Sequence, residues 1–261
     1  MIIPIQGFLN KCLKITLVTS CTLSLALIVT LAALADYVPG EQQPVPSNRR
    51  SDGGTTRGCS GGDMPLTVLA SRNYVGRTIS QHPTFAWFVP PDSADKKMKF
   101  TIYEWVQDGK AKQVYEKEWE SSSGVMKLSP FSENEPGLEV GKEYAWQVVI
   151  ICDPSSLSSA IVDRVSIEVV ATPPEVQSKL NKAVNSVEKV NIYAEAGLWY
   201  DSLAEALKLV EPPKLGEVGS DLLKDLAQWE AQKSTSELSL QELEVIEKRI
   251  QNLEQIADRV R

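Results

Sequence analysis

Apolar and polar positions alternate most clearly in residues 141–154, Gly-Lys-Glu-Tyr-Ala-Trp-Gln-Val-Val-Ile-Ile-Cys-Asp-Pro. Successive side chains of a strand point to opposite sides, so Tyr144, Trp146, Val148, Ile150 and Cys152 share one face. Ala145, Gln147, Val149 and Ile151 make the other face mostly apolar too, which predicts a strand in the middle of a fold. Six further strand-like runs surround it, at 66–70, 84–89, 99–106, 113–119, 125–128 and 161–170. Turn signals separate them: Pro90-Pro91-Asp92, Asp108-Gly109, Ser122-Ser123-Gly124, Pro136-Gly137 and Asp153-Pro154. Asp108-Gly109 between two alternating runs predicts a hairpin. Phe100 and Ile102 face one way, and Thr101, Tyr103 and Trp105 the other. In the last run Ile161, Val165, Ile167 and Val169 share a face that Asp163 interrupts. Seven short strands without intervening helices predict an immunoglobulin-like or fibronectin-like β-sandwich over 63–171, with Trp87, Trp146 and Tyr144 as core aromatics. A small open barrel is the alternative.

At Thr172-Pro173-Pro174 the period changes. Proline continues neither a ladder nor a helix interior, so a hinge is expected there, with an α-helical module over 175–261. The whole is thus α+β. Val176, Leu180, Ala183, Val184, Val187 and Val190 predict one helix over 175–196, ended by Gly197. A second helix is expected over 198–210, stopped by Pro212-Pro213, and a shorter one over 221–231. The last, from about Ser236, carries Leu243, Ile246, Ile250, Leu253, Ala257 and Val260 at a seven-residue period. That stripe has two readings: a helix packed back on its own domain, or a partner-binding or dimerising helix. Gly197-Leu198-Trp199-Tyr200-Asp201-Ser202-Leu203 resembles the second helix of a tetratricopeptide repeat, and a single such unit reads as a helical hairpin. Neighbours on a helix lie about 100° apart, so one of Trp199 and Tyr200 could stay exposed as an anchor for a partner. Burial of both is the other reading.

The N-terminus reads as an address. Lys11 and Lys14 precede an apolar run over 15–34 that ends in Ala33-Leu34-Ala35, the order of a secretory signal peptide over 1–35 cleaved after Ala35. The run is also long enough for an uncleaved membrane anchor, the only membrane association expected. Residues 36–62, with Pro39-Gly40, Pro44-Val45-Pro46, Gly53-Gly54 and Gly61-Gly62, predict a disordered linker, order beginning near Cys59. Export to the periplasm or cell envelope, or secretion, makes the cysteines interpretable. Cys12 and Cys21 leave with the signal, and Cys59 and Cys152 remain as a pair in an oxidising compartment. A disulfide between them would close a loop of roughly 90 residues and stabilise by about 4 kcal/mol on the chain-entropy model.

Composition narrows the function classes. The chain has 27 basic and 34 acidic residues, net −7, and trimming the signal leaves −9. Nucleic-acid binding is not expected of such a balance. One histidine among 261 residues removes multi-histidine metal sites, and no cofactor fingerprint appears. His82, before Pro83, would have to serve any serine or cysteine triad, and no Gly-x-Ser-x-Gly elbow accompanies it. Glu116 with Glu118, and Glu133 with Glu135, are the acid pairs from which a carboxylate-dependent hydrolase could be built. Glu116 and Glu118 alternate with Tyr115, Lys117 and Trp119 as a half-exposed strand would.

Five pieces in order resemble a cyanobacterial family of exported proteins, domain-of-unknown-function family 928. They are Gly53-Gly54 with Arg57-Gly58-Cys59; Arg77-Thr78 with Pro83-Thr84-Phe85-Ala86-Trp87-Phe88-Val89-Pro90; Gly141-Lys142-x-Tyr144-x-Trp146; Ile151-Cys152-Asp153-Pro154; and Tyr193-Ala194-Glu195-x-Gly197-Leu198-Trp199-Tyr200-Asp201-x-Leu203. They cover about residues 53–210, and the sequence departs from the pattern after about Ala231. The resemblance implies an envelope location and one β domain followed by helices, and no activity. The expectation is therefore a non-catalytic interaction or accessory protein of the envelope. It would be held by Cys59–Cys152 and bind a protein partner through the helical module: Trp199, Tyr200, Leu243, Ile246, Ile250 and Leu253. The alternative is a hydrolase acting on envelope glycans.

Overall fold

The computed structural model describes residues 37–38, 43–46, 59, 64–106, 110–156, 159–233 and 240–261. The signal segment with its cleavage site, Asp108-Gly109, Gly53-Gly54 and the expected helix start at Ser236 lie outside the described residues.

Eight strands form two sheets. β1 (Thr67–Val68), β3 (Phe85–Val89) and β6 (Gly124–Leu128) make a three-stranded sheet in the order β1-β3-β6. β2 (Gly76–Thr78), β4 (Lys97–Trp105), β5 (Ala111–Glu120), β7 (Glu143–Ile151) and β8 (Ile161–Val169) make a five-stranded one in the order β2-β8-β7-β4-β5. β7 occupies the middle, as its two apolar faces require, antiparallel to β4 and β8. Tyr144, Trp146, Val148 and Ile150 are buried, and Trp87 of β3 stacks on Phe100 of β4 with ring centroids 5.8 Å apart. All seven expected strands form. The eighth, β2, is a Gly-Arg-Thr triplet too short to show alternation, and it is stabilised from outside by parallel pairing with β8. The disulfide Cys59–Cys152 joins the approach to β1 to the end of β7 across 93 residues of sequence.

Five helices follow: α1 (Pro174–Leu180), α2 (Ser186–Glu195), α3 (Trp199–Ala206), α4 (Gly216–Lys233) and α5 (Leu240–Arg259). The single helix expected over 175–196 is two. Asn185 accepts a hydrogen bond from Glu188 N–H at 2.9 Å, and the Glu188 carboxylate accepts one from Val184 N–H, so a capping pair restarts the helix. Val184, expected on the apolar face, falls in the break and is 82% exposed. The segment expected at 198–210 is helical only to Ala206, and the one expected from 221 begins at Gly216. Gly197, at φ 69°, makes the reversal between α2 and α3, a conformation open to glycine at little cost.

The described residues form one compact unit, and a continuous core runs from the sheets into the helices. Two of the described residues ahead of Cys59 pack onto the fold. Tyr37 is buried with its ring 4.9 Å from that of Trp199, and Val45 is buried with its N–H on the Asn73 carbonyl. Isolated aromatic and branched residues in a proline-rich stretch find sites on the folded body even where the stretch has no core of its own. Among the described residues no helix is long and apolar enough to cross a membrane.

Candidate functional site

Helix α3 carries most of the candidate chemistry because almost all of it is buried. Trp199 and Tyr200 are each 1% exposed, so the expectation that one of them presents an aromatic to a partner is corrected. Neighbours 100° apart can both be covered when a helix is enclosed on several sides. The Trp199 indole donates to the Leu69 carbonyl at 2.8 Å. The Tyr200 hydroxyl accepts from the Trp146 indole at 2.8 Å and donates to the Ser166 carbonyl. Burial holds the Tyr200 phenol far above the usual tyrosine range. Gly76 of β2 makes the approach possible, since a Cβ there would lie 2.7 Å from the Tyr200 ring.

The next residue, Asp201, faces the exit of β2. Its carboxylate accepts hydrogen bonds from the Ile79 N–H at 3.0 Å, and from the Ser80 and Asp201 N–H groups and the Thr78 hydroxyl. Burial nevertheless pushes this acid up to about 7, against the lowering pull of those bonds. Glu205, a turn later and 8% exposed, pairs with Lys208 at 2.5 Å. Tyr193 of α2 is pushed up to about 12 by burial and by the charges of Asp201 and Glu205. Between this helical hairpin and the β2–β3 connection lies a cleft of about 450 Å³. Ser80, His82 and Thr84 line one side, and Tyr193, Asp201, Glu205 and Lys208 the other. His82 Nε2 lies 2.9 Å from the Glu135 carbonyl oxygen.

A second buried polar group lies where α5 meets β1 and β8. Asp163, which interrupts the apolar face of β8, is fully buried and accepts from the Val68 N–H at 2.8 Å. It also accepts from Arg72 Nε at 2.9 Å and pairs with Arg72 Nη2 at 2.8 Å. Arg249 of α5 lies 3.8 Å from the other carboxylate oxygen and donates to the Val68 and Ala70 carbonyls at 2.6 and 2.7 Å. Burial, with Arg72 nearby, lowers Arg249 to about 10. The arrangement ties α5 to the edge of the three-stranded sheet.

The remaining expected residues are scattered. Glu116 and Glu118 sit on the exposed strand β5 and share Lys99, at 3.5 and 3.1 Å. Glu135 is held below the usual carboxylate range by Ser132, whose N–H and hydroxyl both donate to it. Neither acid pair enters the cleft. Of the α5 stripe, Leu253 is fully buried, and Leu243, Ile246 and Ile250 are half-buried. Among the described residues no group of three potential metal ligands forms. The sequence reading missed Asp201, Glu205 and Tyr193 as a group; the available signal was that all three fall in or beside the Tyr193–Leu203 run.

The family model described as Domain of Unknown Function (DUF928) matches residues 52–238, and so ends before α5. No curated protein matches the chain. A solved structure described as "pT26-6p" aligns with 73% of this chain and 48% of its own at 11% identity, with a TM-score of 0.19. This chain thus spans about half the length of that protein. The match over residues 52–238 covers most of the 261 residues, and the chain belongs to the DUF928 family.

Proposed function

We propose that this protein is a non-catalytic, exported accessory module of the periplasm or cell envelope that engages a protein partner through the N-terminal half of α5. The observation that carries this reading is the division of α5. Leu253, Ile256 and Ala257 are fully buried, whereas Leu243 and Ile246 are half-buried and Val245 is 51% exposed. Apolar side chains left at a helix surface suit a helical or grooved partner. Two further features support the setting. The strand order, β1-β3-β6 against β2-β8-β7-β4-β5, supports an immunoglobulin- or fibronectin-like sandwich, a fold common among exported proteins. The disulfide is consistent with a compartment outside the cytoplasm.

Affinity capture from envelope extract tests the reading, with the chain from Asp36 as bait beside the same chain carrying Leu243→Asp and Ile246→Asp. Cutting at Thr172 is unsuitable, since it would strip Trp199 and Tyr200 from the core. A partner held by the wild type and lost by the double variant is expected. Equal capture by both removes α5 as the surface.

A second reading, a carboxylate-dependent hydrolase of envelope glycans, is favoured by one observation: Asp201 and Glu205 line one cleft, with Asp201 pushed up to about 7. The hydrogen bonds Asp201 accepts from Ile79, Ser80 and Thr78 favour a structural role instead. Release of reducing ends from envelope glycan, abolished by Glu205→Gln, would establish the hydrolase. No release leaves the accessory reading in place.

A further inference from the structure

We infer that the cleft between the β2–β3 connection and the α2–α3 hairpin is a binding site for a neutral, polyhydroxylated ligand, a mono- or disaccharide. The inference is independent of any partner on α5 and of whether a bond is broken in the cleft. A volume of about 450 Å³ falls in the range of sites that enclose small ligands. The unused bonding capacity on its walls decides the chemistry.

Glu205 gives one oxygen to Lys208 and leaves Oε2 without a hydrogen bond among the described residues, although the residue is 92% buried by its 8% exposure. Tyr193 lines the cleft, and its hydroxyl has no hydrogen bond among the described residues. His82 Nε2 faces a carbonyl and must carry the proton to bond it, so Nδ1 remains an acceptor. The Ser80 hydroxyl accepts from the His82 N–H and keeps its own proton to donate. Open donors and open acceptors therefore share one cavity. Such a wall matches a ligand whose every polar group both donates and accepts, which is the property of a sugar hydroxyl. An anion would meet Asp201 and Glu205. A cation would meet Lys208, which already neutralises Glu205. A metal ion lacks the three ligands it would need among the described residues. Tyr193, half-buried in the lining, adds an aromatic side chain on which a pyranose face can rest.

The chain's single histidine supplies the reporter, because its imidazole signals are the only ones in the spectrum. The test titrates the full chain with glucose, N-acetylglucosamine and their β-1,4-linked dimers, and separately with ethanolamine and inorganic phosphate. The His82 signals are followed by NMR. At least one saccharide is expected to give a saturating shift with Kd of about 1 mM or tighter. Tyr193→Phe and Glu205→Gln are expected to weaken it about tenfold, at unchanged melting temperature. Three results would overturn the inference: no saccharide shift at about ten times that concentration, a response to ethanolamine or phosphate alone, or a saccharide shift that neither variant changes. Should a variant fail to fold, the wild-type titration decides by itself.

Discussion

The helices join the two sheets along two seams, and each seam buries an aspartate in a different way. At the α5 seam Asp163 lies between Arg72 and Arg249, and a charge answers a charge. At the α3 seam Asp201 receives backbone N–H groups and a hydroxyl, and no cation contributes to holding it ionised. The difference shows that hydrogen bonds and counter-charges are not interchangeable. Several bonds to Asp201 leave it pushed up to about 7, because they do not offset the loss of water around a full charge. The two seams should therefore fail differently.

The largest effect is expected at the α5 seam. Asp163→Ala strands the buried Arg249 and the half-buried Arg72 guanidinium groups and should destabilise by about 3–5 kcal/mol, read from urea denaturation. A loss no larger than that of Glu118→Ala on the exposed strand would break the contrast. Next is the pH response of the α3 seam. Burial pushes the folded Asp201 up to about 7 from its ordinary value of 3.8, so the folded state binds the proton more tightly than the unfolded one. Stability from this group is then greatest below about 4 and falls as pH rises through 7, by about 4 kcal/mol in all, of which about 3 kcal/mol falls between pH 5 and pH 8. Melting curves at pH 5 and pH 8 should show the drop in wild type and a smaller one in Asp201→Asn. An identical drop in both removes Asp201 as the cause. The smallest effect is expected from Tyr200→Phe, which leaves the Trp146 indole N–H buried without its acceptor and should cost about 1–2 kcal/mol, measured in the same denaturation series. No loss would mean that the aromatic seam rests on packing alone.

Periodicity carried much of this architecture. Each expected strand appears, because alternation in a two-sided sheet is written into every strand of five residues or more. The two-residue β1 shows it only because Leu66 and Leu69 extend the apolar run. The heptad stripe of α5 likewise anticipated Leu253 and Ala257 in the core. What escaped is what depends on residues distant in sequence. β2 exists because β8 pairs with it, and Asp163 read as an interruption because its Arg249 partner lies 86 positions later. The cleft was illegible for the same reason. Its walls come from the β2–β3 connection and from a hairpin about a hundred residues downstream, and no local pattern announces that they meet. The break at Asn185, by contrast, was legible in the Asn-x-x-Glu spacing and was overridden by the apolar period around it.

The disulfide has a mechanical consequence. Tension between the chain ahead of Cys59 and the helices crosses the sulfur bridge to Cys152, just past the end of the middle strand of the larger sheet, and passes on toward β8. β1 through β7 lie inside the covalent loop from Cys59 to Cys152 and cannot be drawn out as long as that bridge holds. A pull from that side therefore bypasses them and first loads β8, whose ladders with β7 and β2 must yield. Without the bridge, the same force would peel β1 and then β2 from their edges a few bonds at a time.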